Sequence, residues 1–424
     1  MTMPVHDTKW QMGGRRAATV LLHTLLCGAG VLAFSGAALG QQQCLYVLNR
    51  LRGTVDAFAR PQLSLVASVA LDQCPLPQCM PTALAVDTAR RRAYVARQDA
   101  GTVTVLDMTG VAAPVHITVG SSPADVALTP DGSRLWVANL ASDTVSIINT
   151  ASDTVANTIP VGDGPRSLAI SADASRVFVA NANDDTVSIV DVAAGHVIDS
   201  PAVGGEPAAV ALAPNGARLY VSNYKDGTVS VIDLPGLQTR SIAVRQCPRA
   251  IAFVPSGGTA FVTNTLDNSL SPINTSTEMA GTPIEVGQSP IDVVVTADGA
   301  TGYVANLSDN TLSILDVGSG NVTPHTADQF SPFDLALGIC PLLPTPTATF
   351  TATPLPSVSP TPANGCAGDC SGDGMVGVNE LISGVNIALG NSAVSSCPAF
   401  DRNGDGMVGV NELIAAVNAA LSGC

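Results

Sequence analysis

The sequence predicts an all-β protein: a seven-bladed β-propeller closed by both termini, then a Pro/Thr-rich linker and a small helical module with paired calcium loops. Three observations predict it. A pattern of about 42 residues recurs through the body of the chain, one copy is divided between its two ends, and a second pattern of period 32 occupies the C-terminus. A fixed period near 42 with three or four short β segments per copy is the signature of a propeller or similar array.

Each copy opens with a proline, as in SPADVAL (122–128), GPRSLAI (164–170), EPAAVAL (206–212), CPRAIAF (247–253) and SPIDVVV (289–295). A strand of the form LWVAN (135–139), VFVAN (177–181), LYVSN (219–223), AFVTN (260–264) or GYVAN (302–306) follows. Its aromatic returns at Trp136, Phe178, Tyr220, Phe261 and Tyr303, spaced 42, 42, 41 and 42 residues apart. Alternation along LYVSN puts Tyr220 and Ser222 on one face and Leu219 and Val221 on the other, so the aromatic is expected to pack between neighbouring blades. Turns such as TPDGSR (129–134) and APNGAR (213–218) are Asp-Gly or Asn-Gly hairpins. The next hairpin carries Asp185, Asp226, Asp267 or Asp309, expected to bond their own turn backbone.

Upstream, MPTALAV (80–86), AYVAR (93–97) and TVTVLD (102–107) form another copy. LYVLN (45–49) and TVDAFA (54–59) read as second and third strands without a first, while SPFDLAL (331–337) is a first strand with nothing after it. Six complete copies and one split copy make seven blades, and closure through the split copy leaves no long free strand edge.

Lys9, Arg15 and Arg16, the apolar run 17–34 and the small residues Ala38-Leu39-Gly40 read as an export signal cleaved near Gln41, which places the protein outside the cell or on its surface. The alternative, a membrane anchor, would need a longer apolar run, and no other segment is long enough to span. The boundaries are therefore 1–40 signal, 41–340 propeller, 341–365 linker and 366–424 calcium module. Charged residues are 12% of the chain and the net charge is −15. This excludes the basic patches that nucleic-acid binding requires. A ring closed on itself is expected to be a monomer.

The repeated LYVSN, AFVTN and LWVAN segments, each followed by an Asp/Asn turn and a TVSVID-like strand, resemble the YVTN-type β-propeller repeats of surface-layer proteins. The resemblance covers Cys44 to about Gly338. It implies a fold related to lactonase-type and haem-d1-type propellers, without a shared active site to carry over.

The segment PLLPTPTATFTATPLPSVSPTPANG (341–365) reads as an extended polyproline-like spacer, able to reach roughly 75 Å at ~3.1 Å per residue. Beyond it, DCSGDGMVGVNELISGVNIAL (369–389) is repeated as DRNGDGMVGVNELIAAVNAAL (401–421). Each copy is a twelve-residue calcium loop and a helix. In the second loop Asp401, Asn403 and Asp405 occupy positions 1, 3 and 5, Met407 offers its carbonyl at 7, and Glu412 is the bidentate carboxylate at 12. Asp369, Ser371, Asp373, Met375 and Glu380 take the same roles in the first, so two Ca²⁺ ions are expected. Apolar spacing at Leu381, Val385, Ala388 and Leu389, and at Leu413, Val417, Ala420 and Leu421, predicts the helices. A loop–helix duplicate behind a Pro/Thr linker resembles a dockerin, which implies a cohesin-like protein partner. It departs from familiar dockerins in ending each loop with Glu and in placing Val378-Asn379 and Val410-Asn411 where recognition pairs stand.

Two function classes follow. In one, an exported non-enzymatic binding or surface protein uses the propeller as a recognition scaffold and the calcium module as a tether. In the other, a lactonase-like hydrolase has its site at the central channel. The proline-opened strand is expected to be innermost, so Asp125, Arg166, Arg249, Asp292 and Asp334 rim one channel mouth and are the candidate ligand-binding residues. None of these positions is a histidine, and no nucleophile-elbow or dinucleotide motif occurs, which favours the binding class. The nine cysteines left after cleavage are disulfide candidates. Aligning the split copy on an intact one sets Cys340 opposite Cys44, where a bond would replace the missing turn. Cys74 with Cys79, Cys366 with Cys424 and Cys370 with Cys397 are the further pairs, leaving Cys247 odd.

Overall fold

The computed structural model describes residues 42–72, 80–326 and 330–341, and in the C-terminal part Val376, Leu381, Ser383, Cys397, Val408, Ala416 and Val417. The signal, the Pro/Thr linker, every calcium ligand and Cys74, Cys79, Cys366, Cys370 and Cys424 lie outside these residues. The chain divides into two compact units, Met1–Thr345 and Pro346–Cys424.

In the first unit the described residues form seven antiparallel sheets. Six are continuous in sequence: blades 1 to 6 span 81–118, 123–160, 165–199, 207–243, 248–285 and 290–326. The seventh is ordered Pro332–Ile339, Gln43–Asn49, Thr54–Ala59, Ser64–Ala70, so the first strand of that blade comes from the far end of the chain. In every blade the proline-opened strand is innermost and packs on its counterparts in the adjacent blades. Outermost strands are short and exposed, and tolerate breakers: Pro324 sits in the blade 6 edge strand, and the blade 5 edge is interrupted between Met279–Ala280 and Ile284–Glu285, around Pro283.

The expected alternation is present and builds the core. Leu135 and Val137 pack with Tyr94 of blade 1, whereas Trp136 and Ala138 pack with Val177 and Val179 of blade 3. Seven such clusters lie one at each seam between blades, each holding one of the recurrent aromatics, from Tyr46 to Tyr303. All seven rings are buried, Trp136 completely. Burial of one such ring stabilises by about 2–3 kcal/mol, so each seam has its own anchor.

The hairpin aspartates correct one expectation. Asp226, Asp267 and Asp309 accept backbone hydrogen bonds not from their own turns but from Gly205, Gln246 and Gln288 N–H groups in the loop leading into the same blade, at 2.6, 3.0 and 2.8 Å, Asp309 also accepting the Thr311 hydroxyl of its own hairpin. Asp185 reaches Glu206 N in the loop leading into the next blade, 2.7 Å away. These loops carry a left-handed residue immediately before the proline (Ser122, Gly164, Glu206, Cys247 and Ser289, φ from 53° to 69°). That turn takes their N–H groups out of any sheet, and the adjacent carboxylate satisfies them.

In the second unit Leu381, Ser383, Ala416 and Val417 are helical, and Val376 and Val408, which occupy equivalent positions of the two repeats, are both buried. Among the described residues no helix is long and apolar enough to cross a membrane.

Candidate functional site: the mouth of the central channel

In six of the seven blades the residue after the opening proline lines one end of the channel, the exception being Ile291 of blade 6, which is buried in the seam with blade 7. Thr82, Ala124, Arg166, Ala208 and Phe333 stand there in blades 1, 2, 3, 4 and 7, and Arg249 in blade 5. With Gln98 and Leu140 from the ends of second strands they line a cavity of about 310 Å³. The wall is divided in character. Arg166 and Arg249 are cationic, Ala124, Leu140, Ala208 and Phe333 are apolar, and Thr82 and Gln98 are neutral hydrogen-bonding groups.

The two arginines are held differently. Arg166 lies 3.6 Å from Glu206 and 6.0 Å from the centre of the Tyr224 ring. Arg249 stacks 5.6 Å from the centre of the Phe333 ring, on which Arg50 also stands at 4.7 Å. Among the described residues the Arg249 guanidinium has no hydrogen-bond or ion-pair partner. Burial first, and then the like charge of Arg166, bring its pKa down to about 10, while Asp292 and Asp334 beneath it act in the opposite sense. At neutral pH it is still charged, so the site keeps a desolvated cation facing an open cavity.

The expected five-residue cluster therefore splits. Arg166 and Arg249 come together at the mouth. Asp125, Asp292 and Asp334 sit one residue further along their strands and serve the blade seams instead of lining the cavity. Asp125 accepts from Leu168 N of the next blade at 2.7 Å, Asp292 from Leu335 N at 2.8 Å, and Asp334 from Leu84 N at 2.5 Å. Each also accepts the N–H of the residue that follows it. The strands bulge at this point, between the proline and the residue two further on, which leaves an inner-strand N–H without a ladder partner. A carboxylate from the preceding blade fills the gap.

Asp292 and Asp334 also hydrogen-bond each other, which requires a shared proton. Burial raises the pKa of both and lifts Asp125 to about 6. In blade 4 the equivalent N–H, that of Val210, is met by the Ser167 hydroxyl of blade 3, and the N–H one residue earlier, in Ala209 and Ala250, donates to Ser222 and Thr263 on the second strand of its own blade.

Sequence reasoning missed Phe333, Tyr224, Arg50 and Glu206, because it sought charge at the proline-following positions alone. The signal was present: Phe333 occupies the same repeat position as Arg166 and Arg249, and Tyr224 and Arg50 follow the conserved-in-repeat Asn223 and Asn49.

Of the cysteine pairs, Cys44–Cys340 is formed, with a Cα–Cα distance of 4.9 Å. Cys397 is buried and disulfide-bonded. Cys247 is free and half-buried, its thiol beside the Tyr224 hydroxyl.

No curated protein matches the sequence. Among solved structures the fold is similar to hydrazine synthase of Kuenenia stuttgartiensis, at 18% identity and TM-score 0.55, over 65% of this chain and 90% of that one. It is also similar to a functionally unknown protein from Desulfotomaculum acetoxidans, at 15% identity and TM-score 0.58, over 69% and 98%. A virginiamycin B lyase from Staphylococcus aureus aligns at 11% identity and TM-score 0.52, over 58% and 84%. These likenesses establish the fold, and residues 108–198 match the family described as "Lactonase, 7-bladed beta-propeller", a propeller of the same blade number.

Proposed function

We propose that the protein is an exported binding protein whose propeller recognises a ligand at the channel mouth and whose C-terminal calcium loops tether it to a protein partner. The observation that carries this reading is the division of labour inside the channel. The three aspartates that could act as acid or base are each occupied by two backbone N–H groups. The arginines and Phe333 are turned to an open cavity. Groups that are fixed in the scaffold are poorly placed to move protons, whereas an unpaired guanidinium is a recognition element.

The tether rests on the tandem loop ligands Asp369, Ser371, Asp373, Met375 and Glu380, and Asp401, Asn403, Asp405, Met407 and Glu412. Two short helices are too little core to fold unaided, and bound Ca²⁺ would offset the repulsion among six carboxylates. The test is far-UV circular dichroism of the secreted chain. Because the propeller is all β, chelator is expected to remove the helical signal and leave the sheet signal. Helicity that survives excess chelator would remove the tether.

The second reading, a lactonase-like hydrolase, is favoured by the family match at 108–198. A lactone and ester panel separates the two: turnover by the wild type that vanishes in Arg249→Ala or Arg166→Ala would replace binding by catalysis.

A further inference from the structure

We propose that the channel mouth binds a small organic anion, a carboxylate carried on an aromatic or apolar body, with Arg249 as the anchor of the charge and Phe333 as the platform for the body. This rests on the reading of the mouth as the recognition site and specifies its ligand class.

The chain has 19 basic residues against 34 acidic ones, yet three of the basic ones, Arg50, Arg166 and Arg249, gather around one end of one channel. Two of them line the same cavity, where each raises the energy of the other's charge. In such a place a cation without a hydrogen-bonded or ion-paired partner is costly. Scaffold stability gives no reason to keep it, since blade 4 has Ala208 and blade 2 has Ala124 at the same repeat position and both form the same inner strand. An incoming anion relieves the cost.

Arginine also sets the shape of the anion. Its planar fork bonds carboxylate oxygens in pairs. The carboxylates already present do not satisfy it, because Asp292 and Asp334 are turned to backbone N–H groups and to each other.

The rest of the wall describes the rest of the ligand. Phe333 presents a ring, and Ala124, Leu140 and Ala208 present small apolar surfaces. The volume of about 310 Å³ is at the low end of small-molecule sites, large enough for one ring and its acid group and too small for an oligomer. Glu206, 3.6 Å from Arg166, disfavours a second negative charge on that side, so the ligand carries one.

The test uses the full secreted chain and benzoate as the probe, with benzamide as its neutral isostere and inorganic phosphate as a bare anion, each followed by calorimetric titration. Saturable benzoate binding, weakened roughly tenfold or more by Arg249→Gln and by Phe333→Ala, with benzamide bound at least tenfold more weakly, supports the proposal. Arg249→Lys, which keeps the charge and loses the fork, is expected to fall between wild type and Arg249→Gln. An unchanged melting temperature in each variant shows that the scaffold is intact. Phosphate bound as well as benzoate and insensitive to Phe333→Ala overturns the organic body. Benzamide bound as well as benzoate overturns the anion class while leaving the mouth as the site. Benzoate that fails to bind, or binds unchanged in both variants, overturns the proposal together with the reading of the mouth.

Discussion

The split seventh blade and the intact second blade are the same four-stranded object made in two ways. In blade 2 the first and second strands are joined by a turn. Thr129 N–H donates to Arg134 O, and Asp131 gathers the Thr129 and Ser133 hydroxyls and Ser133 N on one carboxylate oxygen. In the split blade those strands are 283 or more residues apart in sequence where they meet, and the register Gln43↔Ile339 to Asn49↔Pro332 is made without any turn. Three things replace it. The Cys44–Cys340 bond lies where the turn would be, Cys340 N–H donates to Gln42 O at 2.8 Å, and the Tyr46 hydroxyl donates to Ile339 O at 2.6 Å. The blade is also strapped on both sides by carboxylates, with Asp292 reaching into it at Leu335 and its own Asp334 reaching out to Leu84. The seam between blades 3 and 4 relies on Ser167 at 3.3 Å. A carboxylate strap also crosses the intact seam between blades 2 and 3, where Asp125 meets Leu168 N at 2.7 Å, so what the split blade has in place of its turn is the disulfide.

That contrast can be broken at several points. The largest effect is expected from Cys44→Ser or from reduction. The bond spans 296 residues, and chain-entropy reasoning gives such a loop roughly 5 kcal/mol as an upper figure. The melting temperature of the propeller should fall under reducing conditions in the wild type and stay constant in the variant. A wild type indifferent to reductant would show that the strand register alone closes the ring.

Next is the strap into the split blade. Asp292→Ala removes the cross-seam acceptor of Leu335 N–H, which then keeps only its bond to Asp334 at 3.0 Å, and should cost about 1–2 kcal/mol, whereas Ser167→Ala, at an intact seam with a longer bond, should cost less. Denaturant midpoints of the two variants decide it, and equal losses would show that a carboxylate strap and a hydroxyl strap hold a seam equally well.

The third effect is on pH dependence. Burial raises the Asp125 carboxyl from 3.8 to about 6 and raises Asp292 and Asp334 as well. The folded protein thus holds protons that the unfolded chain has released. The associated stability is fully present below 3.8 and is lost as pH rises through about 6. Asp125→Asn should flatten the fall of melting temperature over that window, and an unaltered profile would show that Asp125 is not its source. Asp131 and Asp173 work in the opposite sense: hydrogen bonds from their turns lower them to about 2, so their contribution is lost only as pH falls from 3.8 toward 2.

The smallest effect is expected from Asp131→Ala in the intact turn. Its bonds are exposed and the strands remain covalently joined, so the loss is expected to be the smallest of these. A loss comparable to that of Cys44→Ser would mean that turn and disulfide are equivalent closures.

The sequence by itself determined the blade count, the alternation of the aromatic strand and the pairing of Cys44 with Cys340. All three are properties of period: side chains alternate every two residues, blades every 42 or so, and aligning one copy on another fixes which positions face each other. The calcium loops are proposed on the same ground, from ligand spacing alone, and their ligands lie outside the described residues. Tertiary structure decided what the candidate site residues do. Arg166 and Asp125 both follow an opening proline, and in the sequence they differ only in charge and in standing one residue and two residues after it. The bulge after the proline sends the first side chain to the channel mouth and the second across the seam to Leu168 N. Which N–H lacks a partner is a property of two adjacent blades, not of either alone. Asp226 and Asp309 serve a loop 21 residues away, which the return of the chain through their own blade brings beside them, and Phe333, contributed by the last strand of the ring, meets Arg50, which follows the first strand of the same split blade, and Arg249 from the fifth blade. Their meeting depends on the ring closing, because a circle brings together at its centre positions that no period in the sequence places side by side.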